Sequence, residues 1–233
     1  MVKNKPVIVS FTSWEKRLVN VVPVILSIAS NNVKPDAIIC NLSIEEFPEK
    51  EKSLITPIND LIKAYPAFKI NWVQKNTGVF KKFIPTLIKF YGQSYYLFTI
   101  DDDELYDSHY IETGLKLMEN YKVAVIANRP ISETGVWGGL TCYDSSVFSP
   151  DYWQKITPEL IEKRMNDPYT NEYLRRKNIS IGCSFEKHSQ VFNDCFSNRG
   201  GRVYTKEQIE NNKKIVTKTL NGNPTDNYKE LFL

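Results

Sequence analysis

Four short β-rich apolar runs, each set off from the next by a stretch with helical spacing, fill the first part of the chain, and this rhythm constrains the fold more than any other feature. Pro6 to Ser10 is the first run, followed by a polar loop and an apolar face made by Val21, Val22, Ile25, Ile28 and Ala29. Asn20 fits the N-cap of that helix, with Pro23 in its first turn. Ala37 to Leu42 and Phe68 to Val73 are the next two runs, with a helical stretch from about Leu54 to Ala64 between them. A helix from about Phe80 to Tyr91 then leads to the strand Tyr95 to Ile100. The expected fold is α/β, a mostly parallel, Rossmann-like central sheet with helices on both faces. Such sheets bind ligands beyond the carboxyl ends of their strands.

The rest of the chain is harder to read. A helix near His109 to Tyr121 precedes a strand at Val123 to Ala127, a glycine-rich loop at Gly135, Gly138 and Gly139, and a strand at Leu140 to Tyr143. A charged helical stretch from about Pro158 to Lys177 follows, and beyond Lys206 the composition predicts a peripheral helix and a loosely held end. With 233 residues, 42% hydrophobic and 24% charged, the chain suits one packed domain. Its expected division is a nucleotide-binding half over 1–127, an acceptor half over 128–205 and a peripheral tail over 206–233. A net charge of +3 is too slight for a nucleic-acid partner. Cys40, Cys142, Cys183 and Cys195 show no CxxC spacing, so reduced thiols in a cytoplasmic protein are expected. The apolar stretch Val7 to Val9 is too short for a signal-peptide core, and no run approaches a membrane span. Peripheral association with the inner face of a membrane, where a lipid-linked acceptor could sit, is compatible with this.

Asp101, Asp102 and Asp103 stand where the fourth strand ends. Three adjacent carboxylates repel one another, and a bound cation removes that cost. In an extended segment Asp101 and Asp103 project to one side and Asp102 to the other, so the first and third can share a divalent ion, Mn²⁺ or Mg²⁺. Transfer from a nucleotide diphosphate uses such an ion to stabilise the charge of the departing diphosphate. An acidic turn capping the helix that begins near Ser108 is the plainer alternative. Lys81 and Lys82, in the first turn of the expected helix, oppose its dipole unless an anion such as a phosphate lies nearby.

Three stretches resemble bacterial glycosyltransferases with the GT-A fold, of the family-2-like kind found in capsule and lipopolysaccharide biosynthesis. They are Ile8 to Trp14 with Lys16 and Arg17 behind it; Lys34 to Ile39 leading to Glu45, Glu46, Phe47 and Pro48; and Lys81 to Pro85 followed by Thr99 to Tyr106. The resemblance implies a metal-dependent transfer of sugar from a nucleotide-sugar, with a UDP-sugar the expected donor, to a glycan or lipid-linked acceptor. It places Thr12, Ser13 and Arg17 against the nucleotide, Lys82 on the diphosphate, and Asp102 on the donor sugar or ribose. Trp137, Gly138 and Gly139 would meet the sugar, and His188 would complete the metal shell. In the position of the family's acceptor-side acidic motif this chain has Asn166, Asp167, Pro168 and Tyr169, which makes Asp167 the candidate base and Glu172 the second. Competing readings are a nucleotidyltransferase or nucleotide-sugar hydrolase, and a non-catalytic carbohydrate-binding module built on the four tryptophans. The stretch Phe11 to Arg17 lacks the glycine-rich loop that would favour a nucleotidyltransferase.

Overall fold

The structure is a computed structural model and describes residues 4–127, 141–183, 189–191 and 205–233. β1 (Val7–Thr12) passes through a 3-10 turn at Glu15–Arg17 into α1 (Leu18–Ala29), and β2 (Ala37–Ser43) and α2 (Thr56–Ala64) follow. Next come β3 (Phe68–Val73), a 3-10 turn at Gly78–Lys82, α3 (Ile84–Lys89) and β4 (Tyr96–Thr99). The chain continues through β5 (Glu104–Tyr106), α4 (Tyr110–Tyr121), β6 (Val125–Ala127), β7 (Thr141–Asp144), α5 (Pro150–Gln154) and α6 (Pro158–Glu162). It ends with α7 (Asn166–Arg176), β8 (Ile181–Cys183), β9 (Ser189–Val191), α8 (Lys206–Asn221) and α9 (Asn227–Phe232).

Seven strands form one sheet in the order β3-β2-β1-β4-β7-β6-β8, and β5 pairs with β9 in a separate ribbon. All neighbours are parallel except at β7, which runs antiparallel to both β4 and β6. The fold is therefore α/β with a mostly parallel, GT-A-like central sheet. Buried on both faces, its inner strands have to be nearly continuous apolar runs. On one face Val7, Val9, Phe11 and Phe98 pack with α1, α2 and α4. On the other, Ile8, Leu97, Val125 and Tyr143 pack with α3 and the helices from α5 onward. The chain builds β1, β2 and β3 outward in one direction, then returns to lay β4 on the free side of β1. That reversal opens a crevice at the carboxyl ends of β1 and β4.

Several boundaries differ from the sequence expectation. α1 starts at Leu18, with Arg17 at its N-cap, so Asn20 and Pro23 lie inside the helix rather than at its start. The helix expected over 80–91 is split at Phe83, because Pro85 has no N–H with which to continue the 3-10 turn and instead sits in the first turn of α3. The charged stretch expected over 158–177 is two helices. Arg164, at φ 51°, reverses the chain between them, with Arg164 N–H donating to Ile161 O at 3.0 Å and Met165 N–H to Leu160 O at 3.0 Å. The end of the chain is not loosely held: Ile215, Val216 and Leu220 of α8 and Phe232 of α9 are buried in the second core. Thr205 and Gln208 form a capping box at the start of α8.

Candidate functional site

A cleft of about 710 Å³ opens at the reversal point. One wall comes from the end of β1 and the turn after it, with Thr12, Ser13 and Arg17; the 3-10 turn before α3 adds Lys81 and Lys82. Asp101 and Asp102 follow β4, and Asn166, Asp167 and Thr170 enter from the start of α7. Residues 12, 82, 101 and 167 are separated in sequence, and the folded chain makes them neighbours.

Beneath the floor lies a polar network that the sequence reading did not single out. The fully buried Ser10 hydroxyl contacts Lys82 O and Thr86 Oγ1, each at 2.7 Å. Asn41 Nδ2 donates to Ser10 Oγ and to Thr86 Oγ1, both at 3.1 Å, and Asn71 Nδ2 donates to Asn41 Oδ1 at 2.9 Å. These bonds fasten the lysine-bearing turn to β1 and β2, and their buried polar atoms would be costly to leave unpaired. The available signal was a Ser and an Asn near the carboxyl ends of otherwise apolar strands.

The acidic triplet departs from the alternation expected of extended chain, because Asp102 and Asp103 occupy a turn. Asp101 and Asp103 therefore do not form a pair set apart from Asp102. Arg17 Nη1 lies 3.0 Å from Asp102 Oδ1 and 3.3 Å from Asp103 Oδ2, bridging these two carboxylates. Asp102 also accepts from Ser13 Oγ at 2.6 Å. Burial raises the Asp102 carboxyl, with the Ser13 hydrogen bond and Arg17 opposing and Asp103 adding to the rise. Asp101 turns instead to Lys82, whose Nζ lies 2.5 Å from its Oδ1. Burial works against the Lys82 charge, but Asp101 and then Asp167 and Glu104 outweigh it and hold the ammonium above the usual lysine range. The repulsion within the triplet is thus offset by two side-chain cations of the protein, and the charge argument for a metal loses that support.

Lys81 and Lys82 are not in the first turn of a helix, and each already has a carboxylate partner. Lys81 is buried, ion-paired to Glu46, and 3.4 Å from Ser43 Oγ. Thr12 Oγ1 donates to Asn41 O at 2.7 Å, so its proton, like that of Ser13, is committed within the protein. Any ligand contact from these hydroxyls uses their lone pairs.

Asp167 lines the cleft and is half-buried, and burial pushes its carboxyl up to about 6, with Lys82 pulling it down and Asp101 pushing it further up. Glu172 does not line the cleft. Arg175 donates to it through Nε and Nη2, both at 2.7 Å, and Arg176 through Nε at 2.9 Å. Those partners, Arg175 foremost, hold it down at about 2, so the expectation of a second base at Glu172 is corrected. Trp137, Gly138, Gly139 and His188 lie outside the described residues.

Among the described residues, no group of three or more His, Cys, Asp and Glu side chains is placed to hold a metal. The carboxylates of Asp101 and Asp103 have the donor chemistry that hard divalent cations take, with phosphate oxygens and water filling the remaining positions. Such an ion would replace Lys82 at Asp101 and Arg17 at Asp103. Among the described residues no helix is long and apolar enough to cross a membrane.

No protein-family model matches the chain, and no curated protein matches it in sequence. Solved structures do match its fold. Residues 1–349 of TarS from S. aureus, in complex with UDP-GlcNAc, align with a TM-score of 0.54 and 9% identity over 96% of this chain and 69% of that one. The mannosyltransferase PcManGT from Pyrobaculum calidifontis, in complex with GDP-Man and Mn²⁺, aligns with a TM-score of 0.57 and 12% identity over 85% of this chain. The chain spans 59% of that mannosyltransferase's length. At such identities the likeness establishes the fold that the chain shares with these proteins.

Proposed function

We propose that this chain is a metal-dependent glycosyltransferase moving a sugar from a nucleotide-diphosphate-sugar, a UDP-sugar in the first instance, to a glycan or lipid-linked acceptor of surface polysaccharide biosynthesis. It would act in the cytoplasm, peripherally at the inner face of the membrane, as one domain with its donor half over 1–127. The observation that carries the reading is the cleft at the β1/β4 reversal, which Arg17, Lys82, the Asp101 turn and Asp167 line together. Proteins sharing this fold were crystallised with UDP-GlcNAc and with GDP-Man and Mn²⁺.

Lys82 and Arg17 supply cations for a diphosphate, Lys82 exchanging Asp101 and Arg17 exchanging Asp103 for phosphate oxygens while Arg17 keeps Asp102. Asp101 and Asp103, so released, would hold Mn²⁺ or Mg²⁺, which when bound stabilises negative charge on the leaving diphosphate. Asp102, held by Ser13 and Arg17, keeps the turn in place at the donor. In the same cleft Asp167 takes the proton of the acceptor hydroxyl as its oxygen attacks the anomeric carbon, and the bond to the nucleoside diphosphate breaks. With its carboxyl at about 6, Asp167 is mostly ionised at neutral pH yet more basic than an ordinary aspartate. A direct displacement of this kind would invert the anomeric centre. Calorimetry with UDP, with and without Mn²⁺, tests the reading on the wild type and on Asp103→Ala. Metal-linked UDP binding that is lost in a folded D103A protein is expected; tight metal-linked binding by D103A would remove the proposal.

A further inference from the structure

Among the described residues, four cations line the cleft: Arg17, Lys81, Lys82 and Arg164. Three of them are matched by carboxylates, Arg17 by Asp102 and Asp103, Lys81 by Glu46, and Lys82 by Asp101. Arg164 differs: among the described residues its side chain has no ion pair and no hydrogen bond. Some exposed cations elsewhere find partners along their own helices, as Lys116 does with Glu112 and Arg175 and Arg176 do with Glu172.

Its place in the fold is well fixed. Arg164 sits at the reversal between α6 and α7, pinned by the buried side chains of Leu160 and Met165 on either side. Three residues further on is Asp167, the carboxylate assigned to the acceptor hydroxyl. Arg17 follows β1 and Lys82 precedes α3, whereas Arg164 lies between α6 and α7 on the segment that carries the base. A saccharide filling the cleft strips water from the guanidinium, and hydroxyl groups alone compensate a desolvated charge poorly. An oxyanion compensates it well, because the planar fork of arginine matches two oxygens of a phosphate or carboxylate.

We infer that Arg164 is an acceptor-specificity residue that binds a phosphate or carboxylate carried by the acceptor, so that the glycan or lipid-linked acceptor is anionic close to the hydroxyl it presents. This rests on the transferase reading and narrows its substrate class.

The test uses the whole chain saturated with UDP and Mn²⁺, titrated by ligand-observed NMR with three probes: methyl glucoside, methyl glucoside 6-phosphate and methyl glucuronide. The wild type should bind the charged probes about tenfold or more tighter than the neutral one, the worth of one charge-assisted contact. Arg164→Gln should erase that preference, Arg164→Lys should keep part of it, and UDP affinity, measured separately by calorimetry, should change less than about twofold, well short of the effect of one such contact. Thermal melts check that both variants are folded. The inference is overturned by equal binding of all three probes, by no binding of the charged ones, or by a preference that survives in R164Q. A fall in UDP affinity in R164Q also overturns it and assigns Arg164 to the donor diphosphate. Failure of the wild type to bind UDP at all is a separate result, which defeats the transferase reading itself.

Discussion

The side chain of Asp102 is 9% exposed and has both carboxylate oxygens taken, one by Ser13 and one by Arg17, whereas that of its neighbour Asp101 is 36% exposed and meets Lys82. Both line the cleft, but one carboxylate is built into the framework while the other rests on a cation that an incoming anion can take over. The contrast teaches that an acidic triplet is not three copies of one group. A turn at Asp102 and Asp103 is enough to send adjacent side chains into unlike surroundings.

The largest expected effect is on the working side. Asp167→Asn should lower kcat by about 10²- to 10⁴-fold, the usual contribution of a general base, while UDP affinity stays near wild type. Steady-state kinetics together with UDP calorimetry check this; an active D167N protein would move the base elsewhere. The next effect separates the two neighbours. Asp102→Ala leaves Ser13 and Arg17 without their shared acceptor and should cost about 1–3 kcal/mol of stability in urea unfolding. Asp101→Asn should stay within about 0.5 kcal/mol, because its pair is partly solvated, and should show its effect in Mn²⁺-linked UDP binding. Equal destabilisation by the two would erase the contrast.

Acidity gives a third comparison. Below the Asp167 value of about 6, kcat/KM should fall roughly tenfold per pH unit, and it should be flat above. Stability linked to this group runs the other way. Its folded value is raised, so its contribution is fully present below the ordinary aspartate value of about 4 and is lost as the pH rises through about 6. Activity profiles and unfolding at several pH values should therefore trend oppositely across that window, and D167N should abolish this part of the stability trend. The smallest effect is expected at Glu172, which is tied to Arg175 and Arg176 outside the cleft. Glu172→Gln should change kcat less than about twofold, in keeping with a surface ion pair.

The first half of the fold was legible because parallel strands buried on both faces have to be apolar runs, and β1 to β4 lie within about two residues of where the runs predict them. The second half was less so. β7 pairs with β4, which lies more than forty residues earlier, and no local pattern announces an antiparallel strand placed between two parallel ones. Phe83 and Arg164 interrupt stretches whose spacing reads as continuous helix, and only Pro85 signals one of those breaks. At the site, the sequence brought forward the acids and Lys82, since charges at strand ends stand out. It did not show which charges were already matched. The Arg17 bridge and the Lys81 partnership with Glu46 depend on contacts between distant segments, and those are properties of the folded chain.

The hydroxyl of Ser10 joins the main chain at Lys82 to a helix residue and a strand residue at once. With its backbone anchored from below, Lys82 can change partners only by swinging its own flexible stem, leaving the turn that carries it where it is. Exchange of a carboxylate for an incoming anion is then a rotamer event over a rigid base, quick and reversible.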